Sequence, residues 1–267
     1  MSSCLVEEFH KMLIMLWEFS SMLFPFLVLG MLAYSPCSPP FIMSMFPNCM
    51  EIQRSETLQS FGLWTQVGIQ GFQVWLWFHN TYAGTFWLSF IVQAGIACLL
   101  SYLRVLARDI CKTQTERGME NRLKSYRSFQ VLEKMFNAFL KARILPALLI
   151  GTISMNILSV FVCISLHGEI EISGLLLFLA LGFNAALVNI ITYTLASTVN
   201  TRSTQILRSF RTKMVGMRRK SELRRQIASC SVLGVQFGSN FIDRGTPLVI
   251  QDFCLNPIVS LSLLVVN

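Results

Sequence analysis

Ser173 to Thr198 reads SGLLLFLALGFNAALVNIITYTLAST, an unbroken run without a formal charge. A bilayer core of about 30 Å is crossed by about 20 residues of helix, each advancing about 1.5 Å, so this run is long enough to span one. The pattern repeats on both sides of it. Tyr82 to Leu103 and Ile144 to Leu166 are also uncharged, and Met12 to Tyr34 is interrupted by Glu18 alone. Gly245 to Val266 is the weakest of the set, with Asp252 and Pro257 inside it. One such run fits the buried helix of a large soluble protein, but this many in 267 residues do not. They predict an all-α fold: a polytopic transmembrane helical bundle, one membrane domain over 1–267, with spans at 12–34, 82–103, 144–166, 173–198 and 245–266.

The charges give the bundle an orientation. Of the 22 Lys and Arg residues, all but Lys11 and Arg54 lie in two stretches, Arg104 to Arg143 and Arg202 to Arg244. Loops rich in Lys and Arg stay on the cytoplasmic side, which makes 104–143 and 199–244 the expected cytosolic segments. Ser35 to Thr81 has Arg54 as its one base, and the turn His167 to Ile172 carries Glu169 and Glu171, so both face outside. The N-terminus is then cytosolic and the C-terminus extracellular, with the plasma membrane as the expected location. The net charge of +8 follows from this orientation and from attraction to anionic inner-leaflet lipid, with no nucleic acid partner required. Hydrophobic residues make up 53% of the chain and charged ones 13%, against about 25% charged in soluble domains. Glu7 and Glu8 precede the first apolar run, and its length exceeds a secretory signal core, so it reads as a retained span.

Cysteines and polar residues are sparse enough to consider one by one. Cys98, Cys163 and Cys254 fall within expected spans, and Cys4, Cys111 and Cys230 fall on the cytosolic side, where thiols stay reduced. Cys37 and Cys49 share the outer loop and are the candidates for a disulfide there. No zinc spacing, Gly-rich phosphate loop or nucleophile elbow occurs, so no catalytic residue, metal site or cofactor is expected. His10, His79 and His167 are widely separated and read as interfacial residues. Glu18 and Asp252 stand out, because a carboxylate at membrane depth is costly and usually faces a bundle interior, a partner or water.

The cytosolic stretches carry helical patterns of their own. Tyr126, Phe129, Leu132, Met135, Phe136, Phe139 and Leu140 recur at helical spacing between charged residues, predicting an amphipathic helix that runs into the third span. Ile206, Phe210, Met214 and Met217 repeat this more weakly. Such helices lie on the inner leaflet or pack together beneath it. Around the entry to the second span, Trp75, Phe78, Tyr82 and Phe86 concentrate aromatic rings near His79. This is either an interfacial belt or an aromatic pocket for a small organic ligand. In the last span a break is expected near Asn256, because Pro257 has no N–H to donate. Asn256, Ser260, Leu263 and Asn267 share one helical face, as a pore wall or a helix-packing face requires.

The layout resembles the arthropod seven-transmembrane chemoreceptors, the odorant and gustatory receptor superfamily. The shared features are an inside N-terminus, two basic cytosolic stretches, a very short outer turn and a C-terminus just beyond the last span. Phe237 to Arg244, FGSNFIDR, is similar to the run that precedes the last span in gustatory receptors. The chain ends LSLLVVN, without the Thr-Tyr and Gln-Phe elements common in gustatory members. The resemblance implies that the five spans correspond to the family's third to seventh. It also implies a ligand-gated cation channel subunit that assembles as a homo- or hetero-oligomer, a tetramer in that family. Asn256, Ser260 and Leu263 would then line the pore, Phe129 to Leu140 and Val232 to Ile242 would form the shared anchor, and Trp75, Phe78, His79, Tyr82 and Phe86 the ligand pocket.

Two other classes fit part of the pattern. A transporter would use Glu18 and Asp252 as a proton or ion relay and Pro257 in a broken helix. An accessory or scaffold membrane subunit would have no transport activity at all. A G-protein-coupled receptor is disfavoured, since its cytosolic C-terminus would put both basic stretches outside.

Overall fold

The computed structural model describes residues 3–34, 37, 41–45, 63–80, 82, 87–168, 170, 172–213, 220–238 and 240–266. Among them the chain is helical almost throughout, as its sequence predicts. The helices are α1 (Ser3–Tyr34), α2 (Leu63–His79), α3 (Trp87–Lys112), α4 (Glu116–Phe139), α5 (Leu145–Ser165), α6 (Ile172–Lys213), α7 (Lys220–Ala228) and α8 (Thr246–Val266). A 3-10 turn at Ile42–Met45 follows α1, a π-helical segment at Leu140–Ile144 joins α4 to α5, and a hairpin of β1 (Gln236–Phe237) and β2 (Asn240–Phe241) precedes α8. Five helical stretches are long and apolar enough to cross a membrane: Lys11–Tyr34, Ser89–Lys112, Glu116–Ser165, Gly174–Lys213 and Thr246–Leu263.

Three features depart from the sequence expectation. The first is α2, which occupies part of the outer loop expected over Ser35 to Thr81. Its sequence has neither charge nor proline, and its inward face is completed by Gln73, whose Oε1 accepts the Ile42 N–H at 3.1 Å. The second is the junction of α4 and α5. Pro146 cannot donate to the carbonyl four residues earlier, and the helix widens just before it, with the Leu145 N–H bonding to the Leu140 carbonyl. The amphipathic helix thus runs into the apolar one after it without a break in helical structure over Glu116–Ser165. The third is α8, which passes through Pro257 without the expected break. One missing N–H interrupts the ladder at one rung, and the Ser260 hydroxyl bonds the Asn256 carbonyl at 3.0 Å in the following turn.

Contacts divide the chain into two compact units. One contains Met1–Leu88, Gly151–Ile191 and Ile250–Asn267, and the other Ser89–Ile150 and Thr192–Val249. Every Lys and Arg except Lys11 and Arg54 belongs to the second. In the first unit, Phe24, Val28, Met31 and Leu32 form one face of α1 and bury themselves against Phe41, Leu177 of α6, and Val74 and Trp77 of α2. The Phe24 and Trp77 rings lie 5.9 Å apart. Here α5 and α6 approach so closely that a Cβ at Gly182 would fall 2.9 Å from the Ser159 Cβ. Small residues let two helix backbones meet, and a buried bond from the Thr152 hydroxyl to Asn189 Oδ1 at 2.6 Å ties the same pair.

The second unit is built on a hairpin of α3 and α4. Thr115 caps α4 by accepting the Gly118 N–H at 3.2 Å. The last carbonyls of α3 have no partner within their own helix, and a cation is favoured there. Lys213, in the final turn of α6, supplies it: its Nζ donates to the carbonyls of Ile110 and Cys111 at 2.6 Å and of Thr113 at 3.2 Å.

Candidate functional site

The polar residues of α4 recur at one helical face: Tyr126, Gln130, Glu133 and Asn137, spaced four, three and four. They clasp Ser231 to Gln236, a stretch without regular structure up to the first residue of β1, whose backbone groups must therefore find side-chain partners. Tyr126 is fully buried, and its hydroxyl donates to the Ser231 carbonyl at 2.9 Å while sharing a 2.8 Å bond with the Ser203 hydroxyl. Ser203 Oγ in turn accepts the Leu233 N–H at 2.7 Å. Gln130 Nε2 donates to the same Ser231 carbonyl at 2.9 Å. Asn137 behaves like a neighbouring strand, donating to the Gly234 carbonyl at 2.9 Å and accepting the Gln236 N–H at 3.0 Å. Glu133 is buried beside it, takes bonds from Asn137 and the Gly234 N–H, and has its carboxyl pushed above the ordinary range by burial. Burial likewise pushes Tyr126 up to about 12, offset in part by the Ser203 hydroxyl.

This clasp leads into FGSNFIDR and the start of α8. Gly238 takes φ of +57°, the left-handed turn that lets β1 pair back on β2 within so few residues. Asp243 then serves as the N-terminal cap of α8. Its Oδ1 accepts the Thr246 hydroxyl at 2.8 Å and the N–H groups of Thr246 and Gly245 at 2.9 and 3.0 Å. Those bonds, the Thr246 hydroxyl first, hold its carboxyl below the usual range. Arg244 Nε reaches the Thr201 hydroxyl of α6 at 3.2 Å. The run that carried the family resemblance is therefore a turn, a cap and a tether.

Beyond its cap, α8 has one buried edge. Ile250, Cys254 and Ile258, four residues apart, are buried, and Cys254 hydrogen-bonds Asn156 of α5. On the opposite face Asp252, Asn256, Ser260 and Leu263 are all exposed, Leu263 to 61%. The sequence reading placed Asn256, Ser260 and Leu263 on one face, and the helix brings Asp252 onto it as well. Asn267 lies outside the described residues.

The remaining candidate residues are more dispersed. Trp75 and Phe78 of α2 are 54% and 47% exposed; Trp75 meets the His79 ring edge-on with centroids 4.7 Å apart, and Phe78 stacks on Tyr82, beyond the end of the helix, at 5.4 Å. Phe86 lies outside the described residues. Glu18 is half-buried on α1, and no hydrogen bond or ion pair joins it to Asp252 among the described residues. Cys37 is buried and disulfide-bonded, whereas Cys49, its expected partner, lies outside the described residues. Among the described residues no cluster of His, Cys, Asp and Glu could hold a metal ion. No protein-family model, curated protein or solved structure matches the chain.

The α4 clasp is absent from the sequence expectation, in which Tyr126 belongs to an apolar stripe. The signal was present as the polar repeat Tyr126, Gln130, Glu133, Asn137, overlaid on the apolar repeat of Phe129, Met135 and Phe136.

Proposed function

We propose that the chain is a multi-pass membrane protein of chemoreceptor type, a subunit of a cation channel gated by small organic molecules, with its N-terminus cytosolic and its C-terminus outside. The observation that carries this reading is the disposition of α8. Its buried edge of Ile250, Cys254 and Ile258 leaves Asp252, Asn256 and Ser260 directed away from the rest of the chain. Lipid is a poor environment for such a stripe, whereas water in a pore shared between subunits accommodates it. A carboxylate at Asp252 on that wall favours cations. The ordered clasp supports gating as a shift between two packings, because it couples α4 and α6 to the segment that enters α8. Ligand recognition belongs to the aromatic residues of 75–86 in this reading.

The test is cysteine substitution at Asn256 and Ser260 in the full chain, with a hydrophilic, membrane-impermeant thiol reagent applied during current recording in the presence of a ligand panel. Modification that blocks a ligand-evoked cation current at these positions, but not at Leu255 or Val259, is the expected result. Currents insensitive to modification at both positions would remove the stripe from the pore, and absence of any ligand-evoked current in cells that display the protein at the surface would remove the channel reading.

A further inference from the structure

Thr57 to Leu103 contains no Asp, Glu, Lys or Arg, a charge-free run of 47 residues. That is twice what one crossing needs, so hydropathy alone does not say which part enters the bilayer. The register of α3 against α4 decides it. An ideal Cβ on Gly95 would fall within 3.2 Å of three Phe136 ring atoms. The Tyr102 and Phe129 rings stack at 5.3 Å, and Asp109 pairs with Arg122 at 2.8 Å. These three contacts define one antiparallel register, in which each step along α3 is matched by one step back along α4. Continued into the π segment, it sets Ala97 level with Lys134 and Phe90 level with Lys141.

Lys134, Lys141 and Arg143 are all exposed. If Tyr82 to Leu103 spanned the bilayer, Lys141 would sit near its mid-plane, about 15 Å from either surface and beyond the reach of a lysine side chain. Exposed charges at that depth are costly enough to be rare, and nothing among the described residues pairs with Lys141. Residues 89–112 also belong to the unit that holds nearly all of the basic residues. We therefore propose that α2 makes the second crossing, and that α3 is a water-side helix whose apolar character serves packing in the basic unit. This rests on the membrane reading above.

At 17 residues α2 reaches the lower end of the length that a crossing needs, and it exposes the surface that lipid requires. Trp64 is 84% exposed, and Val67, Phe72, Trp75 and Phe78 are about half exposed. α3 also leaves Phe90, Ile91, Tyr102 and Val105 about half exposed, but it has in addition a full face turned into protein: Val92, Ile96, Leu99, Leu103, Leu106 and Ile110 are buried. Their spacing of four, three, four, three and four is that of a helix sealed along one face by protein.

Three native cysteines report on the assignment without mutation. Cys98 on α3 and Cys111 at its end are free and exposed, and Cys163 on α5 is free and half-buried. The full chain in permeabilised cells is treated with a membrane-impermeant maleimide, and modification at each site is quantified by mass spectrometry. The expected result is labelling of Cys98 together with Cys111 while Cys163 stays protected. Labelling of Cys111 alone would overturn the assignment and leave the membrane reading standing. Labelling of Cys163 as well would overturn the membrane reading, and this assignment with it. A second pair of variants gives an independent reading of the same assignment. Ala97→Glu places a carboxylate level with Lys134 on the water side and should leave the amount of membrane-integrated protein unchanged, whereas Val67→Glu should reduce it strongly. Any other pattern in that pair would overturn the proposal.

Discussion

At the scale of single residues, the clasp on α4 shows how a few polar groups hold an irregular segment in place. Tyr126 hydroxyl is the hub, because it serves the Ser231 carbonyl and the Ser203 hydroxyl together. Tyr126→Phe keeps the ring packed against Phe210 but deprives both partners, and a loss of about 1–3 kcal/mol is expected, read as a lowered melting temperature of the purified protein in detergent. Combining it with Ser203→Ala should cost less than the sum of the two, since they break the same network. Glu133 makes a prediction about pH. Its carboxyl is raised above the ordinary value of 4.5, chiefly by burial, so the folded protein holds that proton more tightly than the unfolded chain does. Its contribution to stability is therefore complete below about 4.5 and is lost as pH rises through the raised value. Melting temperatures measured from pH 7 downward should gain more in the parent than in Glu133→Gln, which cannot titrate. A parallel dependence in the two proteins would remove Glu133 from that role.

At the scale of elements, helix ends are held from outside. Lys213 closes α3 by bonding three carbonyls in its final turn and the turn after it, and Asp243 opens α8 through Thr246 and Gly245. Lys213→Met should cost about 1–2 kcal/mol and speed hydrogen exchange of amides near Cys111, leaving α8 as it was. Asp243→Ala should speed exchange at Gly245 and Thr246 instead. Because the Asp243 carboxyl is held below its ordinary value, its capping is present at neutral pH and is lost as pH falls through that depressed value, so the parent and Asp243→Ala should converge in strong acid. How much of this was legible in the sequence differs from element to element. The helices rich in Leu, Ile and Val stood out because charge was missing from them for long enough. By contrast, α2 was read as loop and aromatic belt because the neutral run from Thr57 to Leu103 contains no boundary that a hydropathy argument can detect. The face of Asn256, Ser260 and Leu263 was visible from spacing alone. Asp252 sits on it by the same spacing, but that the face points away from the protein is known only from the burial of Ile250, Cys254 and Ile258.

At the scale of the whole molecule, the proposed topology depends on parity. Five crossings put the two termini on opposite sides of the membrane, and moving the second crossing from α3 to α2 leaves the number unchanged. The sidedness of the termini and the position of that crossing are thus separate questions, and a result on one does not decide the other. The basic residues set the sign: both stretches, 104–143 and 199–244, belong to one contact-defined unit, as they must if they share a compartment. Two segments carrying this much positive charge are retained on the cytoplasmic side together or not at all. The final crossing is the weakest link, since Thr246–Leu263 has a mean hydropathy of 1.2 against 1.8 to 2.3 for the other four candidates. An epitope placed after Asn267 should bind antibody on intact cells, while one placed before Met1 should bind only after permeabilisation. If both epitopes need permeabilisation, α8 does not cross, and the outward stripe of Asp252, Asn256 and Ser260 is a surface of a peripheral helix. If the two are exchanged, the basic unit is outside and the charge argument fails for this chain. Only the expected pattern keeps α8 where its polar face can meet a water-filled pore.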